Sequence, residues 1–247
     1  MSGEALLISG INAIGGLLES HPDQVVELWL EQGARSDRLE ATLKLARQQR
    51  IAIQSIERKR LDAKVGHDRH QGLAARIRPA PALDEADLKR LVDSAGPATL
   101  LLVLDGVTDP HNFGACLRSA AAAGCTAVVT PRDRSASLND TVLRASAGTA
   151  LKVPLVQVTN LVRTLEALKK QGVWTYGAAL EGSASVYQTD LRGPLALVLG
   201  AEGAGLRRLT RETCDGLVHI PMASAVESLN VSVATGILLF EALRQRG

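Results

Sequence analysis

The sequence predicts an α/β protein in which helices cover a parallel sheet, preceded by a smaller α/β domain. Three observations carry that reading. Residues 99–247 alternate short, wholly apolar runs with amphipathic stretches, as expected of strands buried on both faces by crossover helices. Residues 1–78 hold a separate set of helix and strand signals. Between them, Pro79 and Pro81 break regular pairing, and Ser94-Ala95-Gly96-Pro97 follows a short helix opened by Asp84. These features mark 79–98 as a linker.

In chain order, the first domain reads as a helix around Ile11–Leu18, an extended run Val25–Leu30 and a second helix over Leu39–Gln49. Strands are expected at Ile51–Ile56 and Leu73–Ile77. In the second domain the expected strands are Leu100–Leu104, Thr126–Val129, Val153–Val156, Val173–Gly177, Leu195–Leu199 and Leu217–Ile220. Helices are expected near Asn112–Ala123, Leu138–Ala145, Leu161–Lys170 and Val231–Arg244. Parallel sheets bind ligands beyond the carboxyl ends of their strands, so the loops after the strands are where function is sought.

Composition narrows the classes. With 46% hydrophobic and 22% charged residues, the chain reads as an ordinary globular protein. No apolar run approaches the roughly 18 residues of a membrane span, and the start lacks signal-peptide features. Cys116, Cys125 and Cys214 have neither metal-ligand spacing nor an even count, so a reduced cytoplasmic protein without metal is expected. Aromatics are only 2%, which argues against base stacking as the main mode of nucleic-acid binding. The net charge of +2 hides a strong division: residues 47–78 carry nine Lys and Arg against three Asp and Glu, whereas residues 1–46 carry three against seven. The basic stretch can neutralise phosphates or simply form a solvated face. His21, His67, His70, His111 and His219 suggest no acid–base pair.

Three loops have unusual composition. Residues 104–114 lead into a helix where Asn112 reads as the N-cap, and Arg118 lies within two turns of the free amides at that helix start. Both could face one anionic ligand, or Asn112 could merely cap while Arg118 pairs on the surface. The stretch Leu199–Arg208 places Glu202 among three glycines that would admit close backbone approach. Its spacing is G-x-x-G-x-G, not the dinucleotide fingerprint, which counts against a nucleotide-dependent oxidoreductase. Residues 220–232 crowd Ser228 and Asn230 at the start of the last helix.

Taken together, Asp109-Pro110-His111-Asn112-Phe113-Gly114 with Arg118, Leu199-Gly200-Ala201-Glu202-Gly203, and Ser228-Leu229-Asn230-Val231-Ser232-Val233-Ala234 resemble the three signature motifs of the SpoU (TrmH) family of RNA ribose 2′-O-methyltransferases. Their order and spacing match over 99–247. Gly10-Ile11-Asn12-Ala13-Ile14 and His70-Gln71-Gly72 resemble the ribosomal-protein-like substrate domain of a ribosomal-RNA member of that family. The resemblance thus covers nearly the whole chain. It implies a C-terminal deep trefoil knot, a bent S-adenosylmethionine held in the knot loops, and an obligate homodimer with its sites at the interface.

By matching positions, the resemblance places Asn112, Arg118, Glu202, Ser228 and Asn230 in catalysis, and Gly200, Ile220, Met222 and Leu229 at the cofactor, largely through backbone groups. Arg58, Arg60, His70 and Gln71 are assigned to RNA. The implied substrate is a guanosine in the peptidyl-transferase region of 23S rRNA, met either as ribosomal RNA or within a pre-ribosomal particle. A transfer-RNA substrate, or a non-catalytic ribosome assembly factor, are the alternative readings. Two positions depart from the pattern: Asn12, where histidine is common, and Ser224, where glycine is frequent. For the reaction itself, Arg118 has two candidate roles, general base or clamp on the substrate phosphate. A guanidinium is effectively always protonated, which favours the clamp.

Overall fold

The computed structural model describes residues 5–78, 80–182, 184–223 and 228–247. The chain divides into two units, Met1–Pro81 with Ser137–Lys152, and Ala82–Ala136 with Val153–Gly247.

The N-terminal unit contains β1 (Leu6–Ser9), α1 (Ile11–Ser20), β2 (Val25–Glu31), α2 (Asp37–Gln48), β3 (Ala52–Ile56), α3 (Arg58–Val65) and β4 (Leu73–Ile77). Its four-stranded sheet has the order β1-β4-β2-β3. Strand β4 runs antiparallel to β1 and β2, while β2 and β3 are parallel. Helix α1 buries Ala13, Ile14, Leu17 and Leu18, one stripe at helical spacing. The Oγ of Ser36 caps α2 by accepting from the Leu39 amide at 3.2 Å. Two elements were not foreseen. Strand β1 is four residues long, too short for alternation to be visible. The basic run at Arg58, Lys59 and Arg60 forms the first turn of α3, where only Leu61 is buried and periodicity is absent.

The C-terminal unit contains α4 (Glu85–Ala95), β5 (Leu100–Asp105), α5 (Pro110–Ala122), β6 (Ala127–Pro131), β7 (Leu155–Val158), α7 (Leu161–Lys170), β8 (Trp174–Ala178), β9 (Ala184–Ser185), β10 (Leu195–Gly200), α8 (Arg208–Thr213), β11 (Gly216–His219) and α9 (Val231–Arg246); α6 (Asp140–Ala145) lies between β6 and β7. The seven strands are ordered β7-β6-β5-β10-β8-β11-β9, and every neighbouring pair is parallel. All six residues of β5 are buried, as the run of apolar side chains requires of a central strand.

Two expectations about organisation change. Residues 82–98 are not a linker: α4 is opened by a capping box between Asp84 and Asp87, and it sinks Leu88 and Val92 into the core with Leu101, Val103 and Ala127. Residues 137–152, from the connection between β6 and β7, belong to the N-terminal unit, where α6 packs on β1 and the turn after it on α1. Val142 and Leu143 are fully buried there. At Gly148 (φ +81) an added Cβ would stand 2.6 Å from the Cα of Ala13, so only glycine permits this approach.

Candidate active site

The three loops meet at the carboxyl end of the parallel sheet. Strands β5 and β10 are neighbours with Asp105 opposite Gly200, so the loops leaving them begin side by side. Helix α5 starts with Pro110 at its first turn, and the N-cap is Asp109, whose Oδ1 accepts from the Asn112 amide at 2.8 Å. This corrects the expectation that Asn112 caps the helix. Because Asp109 does so, the Asn112 side chain is released for longer-range contacts. Its Nδ2 donates to Glu202 Oε2 at 2.8 Å, and its Oδ1 accepts from Asn230 Nδ2 at 2.8 Å. Asn230 in turn caps α9, its Oδ1 accepting from the Ser232 amide at 2.9 Å and from Ser232 Oγ at 2.6 Å. Residues from all three motifs thus join a single directed chain, Ser232–Asn230–Asn112–Glu202, in which every amide orientation is set by its partner.

Beside this chain lies a cavity of about 500 Å³, within the range of small-molecule sites. Gly200, Ile220, Met222 and Leu229 all line it, together with Glu202 and Ser228. Gly200 is obligatory: a Cβ there would fall 2.0 Å from the carbonyl carbon of Gly205 and 2.3 Å from the Leu206 nitrogen. The glycine loop therefore folds back against its own strand end, where Ala201 and Gly205 form a bridge. At Gly182 a Cβ would meet the Val218 carbonyl carbon at 2.5 Å, a second close backbone crossing beside the cavity.

Arg118 is not part of the chain. It is exposed on the stripe His111, Ala115, Arg118 and Ala122 of α5, and forms no ion pair among the described residues. The expected RNA contacts also separate. Arg58 and Arg60 are exposed, as phosphate contacts require. His70 is corrected: it is 1% exposed, with Nε2 on Asp62 Oδ1 at 2.7 Å and Nδ1 accepting from the Gly72 amide at 3.0 Å. Both ring nitrogens are consumed by the fold, leaving none to donate to RNA. Gln71 Oε1 accepts from the Ile11 amide at 3.0 Å and so caps α1. Ser224 lies outside the described residues.

Asp105 was missed by sequence reasoning, because a carboxylate ending an apolar strand reads as the first residue of a loop. Its side chain is fully buried, its Oδ2 accepts from the Arg207 amide at 3.1 Å, and its Oδ1 stands 2.7 Å from Arg207 Nε. The latter is a charge contact without hydrogen-bond alignment, so the amide carries the directed bond. Asp105 thus ties the start of the first loop to the end of the glycine loop that carries Glu202. His219 and the Glu181–Arg211 ion pair also line the cavity. Burial pushes the thiols of Cys116 up to about 11 and of Cys125 and Cys214 up to about 12, leaving no thiolate nucleophile. Among the described residues, no His, Cys, Asp and Glu cluster could hold a metal, and no helix is long and apolar enough to cross a membrane.

A parallel sheet with a motif-bearing cavity at its carboxyl end defines the class, and the comparisons specify it: the chain belongs to the SpoU rRNA methylase family, matched over residues 99–240. Residues 7–83 match the RNA 2′-O ribose methyltransferase substrate-binding family. The 23S rRNA (guanosine-2′-O-)-methyltransferase RlmB of Xanthomonas campestris pv. campestris is 54% identical over 246 residues, covering 100% of this chain and 99% of that protein. The protein of the same name from Pseudomonas putida is 51% identical, covering 97% and 96%. Among solved structures, the SpoU methyltransferase AviRb from Streptomyces viridochromogenes, in complex with the cofactor AdoMet, superposes with a TM-score of 0.80. It is 26% identical, with 98% of this chain and 90% of that chain covered.

Proposed function

We propose that the protein is a cytoplasmic enzyme that methylates the ribose 2′-hydroxyl of one guanosine in the peptidyl-transferase region of 23S rRNA. The donor is S-adenosylmethionine. The observation that carries this reading is the hydrogen-bonded chain Ser232–Asn230–Asn112–Glu202 beside the 500 Å³ cavity.

The cavity fits the cofactor in its chemistry. Gly200 contributes main chain to the cavity wall, and Ile220, Met222 and Leu229 offer apolar contact with main-chain groups between. S-adenosylmethionine supplies an electrophilic methyl group on a good leaving group. What remains for the protein is to orient the 2′-oxygen and manage one proton. Glu202 is held by Asn112 through one oxygen, leaving its other lone pairs to orient the hydroxyl or receive its proton. Ser228 supports the loop at the cavity wall. Arg118, with its exposed planar fork, clamps the substrate phosphate and stabilises charge developing on the oxygen.

We further read the chain as a homodimer with a trefoil knot. Val233, Phe240 and Leu243 are 41–50% exposed and lie at positions 0, 7 and 10 of one face of α9, an apolar stripe that a second copy would cover. Helix α5, carrying Arg118, packs along α9, so such a dimer would bring Arg118 to the interface. Membership of the SpoU family supports the knot. The N-terminal unit, with Arg58 and Arg60 outward, is read as the RNA-docking part.

The test is transfer of labelled methyl from S-adenosylmethionine to unmodified 23S rRNA by wild type, Arg118→Ala and Arg118→Lys. Label at a single ribose, lost in Arg118→Ala and not restored by Arg118→Lys, is the expected result. Label entering transfer RNA instead would overturn the substrate, and cofactor binding without transfer to any RNA would overturn the enzyme.

A further inference from the structure

The N-terminal unit holds a second cavity, of about 220 Å³, enough for one nucleobase but not a base pair. Its wall includes Glu31 at the end of β2, Arg35 before α2, Arg58 on α3, and Asp68, His70 and Gln71 of the turn before β4. We propose that it receives a single unpaired guanine of the RNA substrate. This rests on the reading of the unit as RNA-docking.

The cavity is built in advance. Gln71 is held at φ +54, unfavourable for a non-glycine residue, and Gly72 at φ +76. A Cβ on Gly72 would stand 2.8 Å from that of Ala34. Three directed bonds hold this turn: the Gly72 amide on His70 Nδ1, His70 Nε2–H on Asp62, and Gln71 Oε1 on the Ile11 amide. Because Nδ1 accepts from an amide, the ring is the Nε2–H tautomer. Strain that is locked by a buried histidine preserves the shape of the hollow before any ligand arrives.

The carboxylate of Glu31 gives the hollow its chemical preference. It is 17% exposed and accepts no hydrogen bond among the described residues. Arg58 Nη1 is 3.7 Å away, and His70 Nδ1, at 4.0 Å, presents a lone pair already in use. A partly buried carboxylate without donors favours a ligand that brings them. Guanine presents two parallel donors, N1–H and the 2-amino group, which match the two carboxylate oxygens. Its O6 then faces the Arg58 guanidinium, 61% exposed beside Glu31. Adenine and cytosine offer one donor beside an acceptor, and uracil one donor between two acceptors, so each leaves an oxygen of Glu31 unmatched. Arg35 at the rim is placed for a flanking phosphate. Recognition here is by the base edge, in keeping with a wall that contains no Phe, Tyr or Trp and whose one imidazole, His70, is buried and held by its own hydrogen bonds.

The experiment measures binding of full-length protein to RNA hairpins carrying one bulged guanosine, inosine or adenosine, by fluorescence anisotropy, alongside methyl transfer to 23S rRNA. Guanosine is expected to bind at least about tenfold tighter than adenosine, with inosine between because it lacks the 2-amino group. Glu31→Gln should erase the preference and raise KM for 23S rRNA while cofactor Kd holds. Arg58→Ala should weaken it through O6, and carries the test if Glu31→Gln does not fold. Equal binding of all three hairpins by an enzyme that still methylates 23S rRNA would overturn the guanine site alone. Absence of both RNA binding and methyl transfer would overturn the docking reading with it.

Discussion

Asn112 illustrates how position on a helix decides what a side chain can do. Had it capped α5, it could not have reached Glu202 and Asn230. Asp109 takes the cap and thereby frees it. At the same scale, Asp105 and Arg207 act as a latch on the glycine loop. Removing Arg207 would leave a buried carboxylate with its amide bond but no counter-charge. Because Arg207 is 46% exposed and solvent already screens the pair, Arg207→Ala should cost about 2 kcal/mol rather than the 3–5 of a fully buried pair. Thermal melting checks this. The same variant should weaken cofactor binding, measured by calorimetry well below the melting temperature, because the far end of the loop is released. Unchanged affinity would make the latch a stability element only. The sequence pointed to Asn112 and Glu202 as a pair of motif residues but could not indicate Asp105, since burial of a strand-end carboxylate depends on a partner 102 residues away.

Among the elements, α9 and the glycine loop are the most exacting. Gly200→Ala would drive a methyl group into the backbone of Gly205 and Leu206. An overpacking cost of about 3 kcal/mol is expected. Cofactor binding should be lost even at temperatures where the variant stays folded, which calorimetry would reveal. In the last turns of α9, two hydrogen bonds from Arg244 and one from Gln245 hold the Glu241 carboxyl down at about 2. A depressed folded-state value stabilises the protein above the unfolded glutamate's pKa, and that contribution disappears as pH falls through the folded value. The melting temperatures of wild type and Glu241→Gln should therefore differ most above about pH 5 and converge only as the pH approaches about 2. A constant gap would mean that the bonds are worth the same with a neutral amide. Long elements such as α2, α7 and β5 were legible because their periodicity extends over whole turns or whole strands. By contrast β1, β9 and α3 were not, being two to eight residues long with little buried surface to impose a pattern.

For the whole molecule, the chain does not divide at a single linker. Residues 137–152 leave the parallel sheet and complete the N-terminal unit. A deletion of residues 1–81 would therefore uncover Val142, Leu143 and Ala150, all at most 1% exposed. The 82–247 fragment is expected to melt several degrees lower and to bind a hydrophobic dye, and trimming 137–152 to a short turn should relieve the dye binding. A fragment as soluble and stable as the parent would show that the segment does not depend on its cover.

Sequence alone determined the strand–helix alternation, the parallel sheet, and three motifs in the right order after three strands. Each of these is a local or periodic property, written within a window of a few residues to a few turns. Tertiary structure alone decided that Asn112 bridges Glu202 and Asn230, that Asp105 is buried against Arg207, that His70 is consumed by its own turn, and that 137–152 joins the N-terminal unit. Those outcomes depend on which distant backbone and side-chain groups are brought within hydrogen-bonding distance. That is set by strand order and by close glycine crossings, neither of which leaves a periodic trace in the chain.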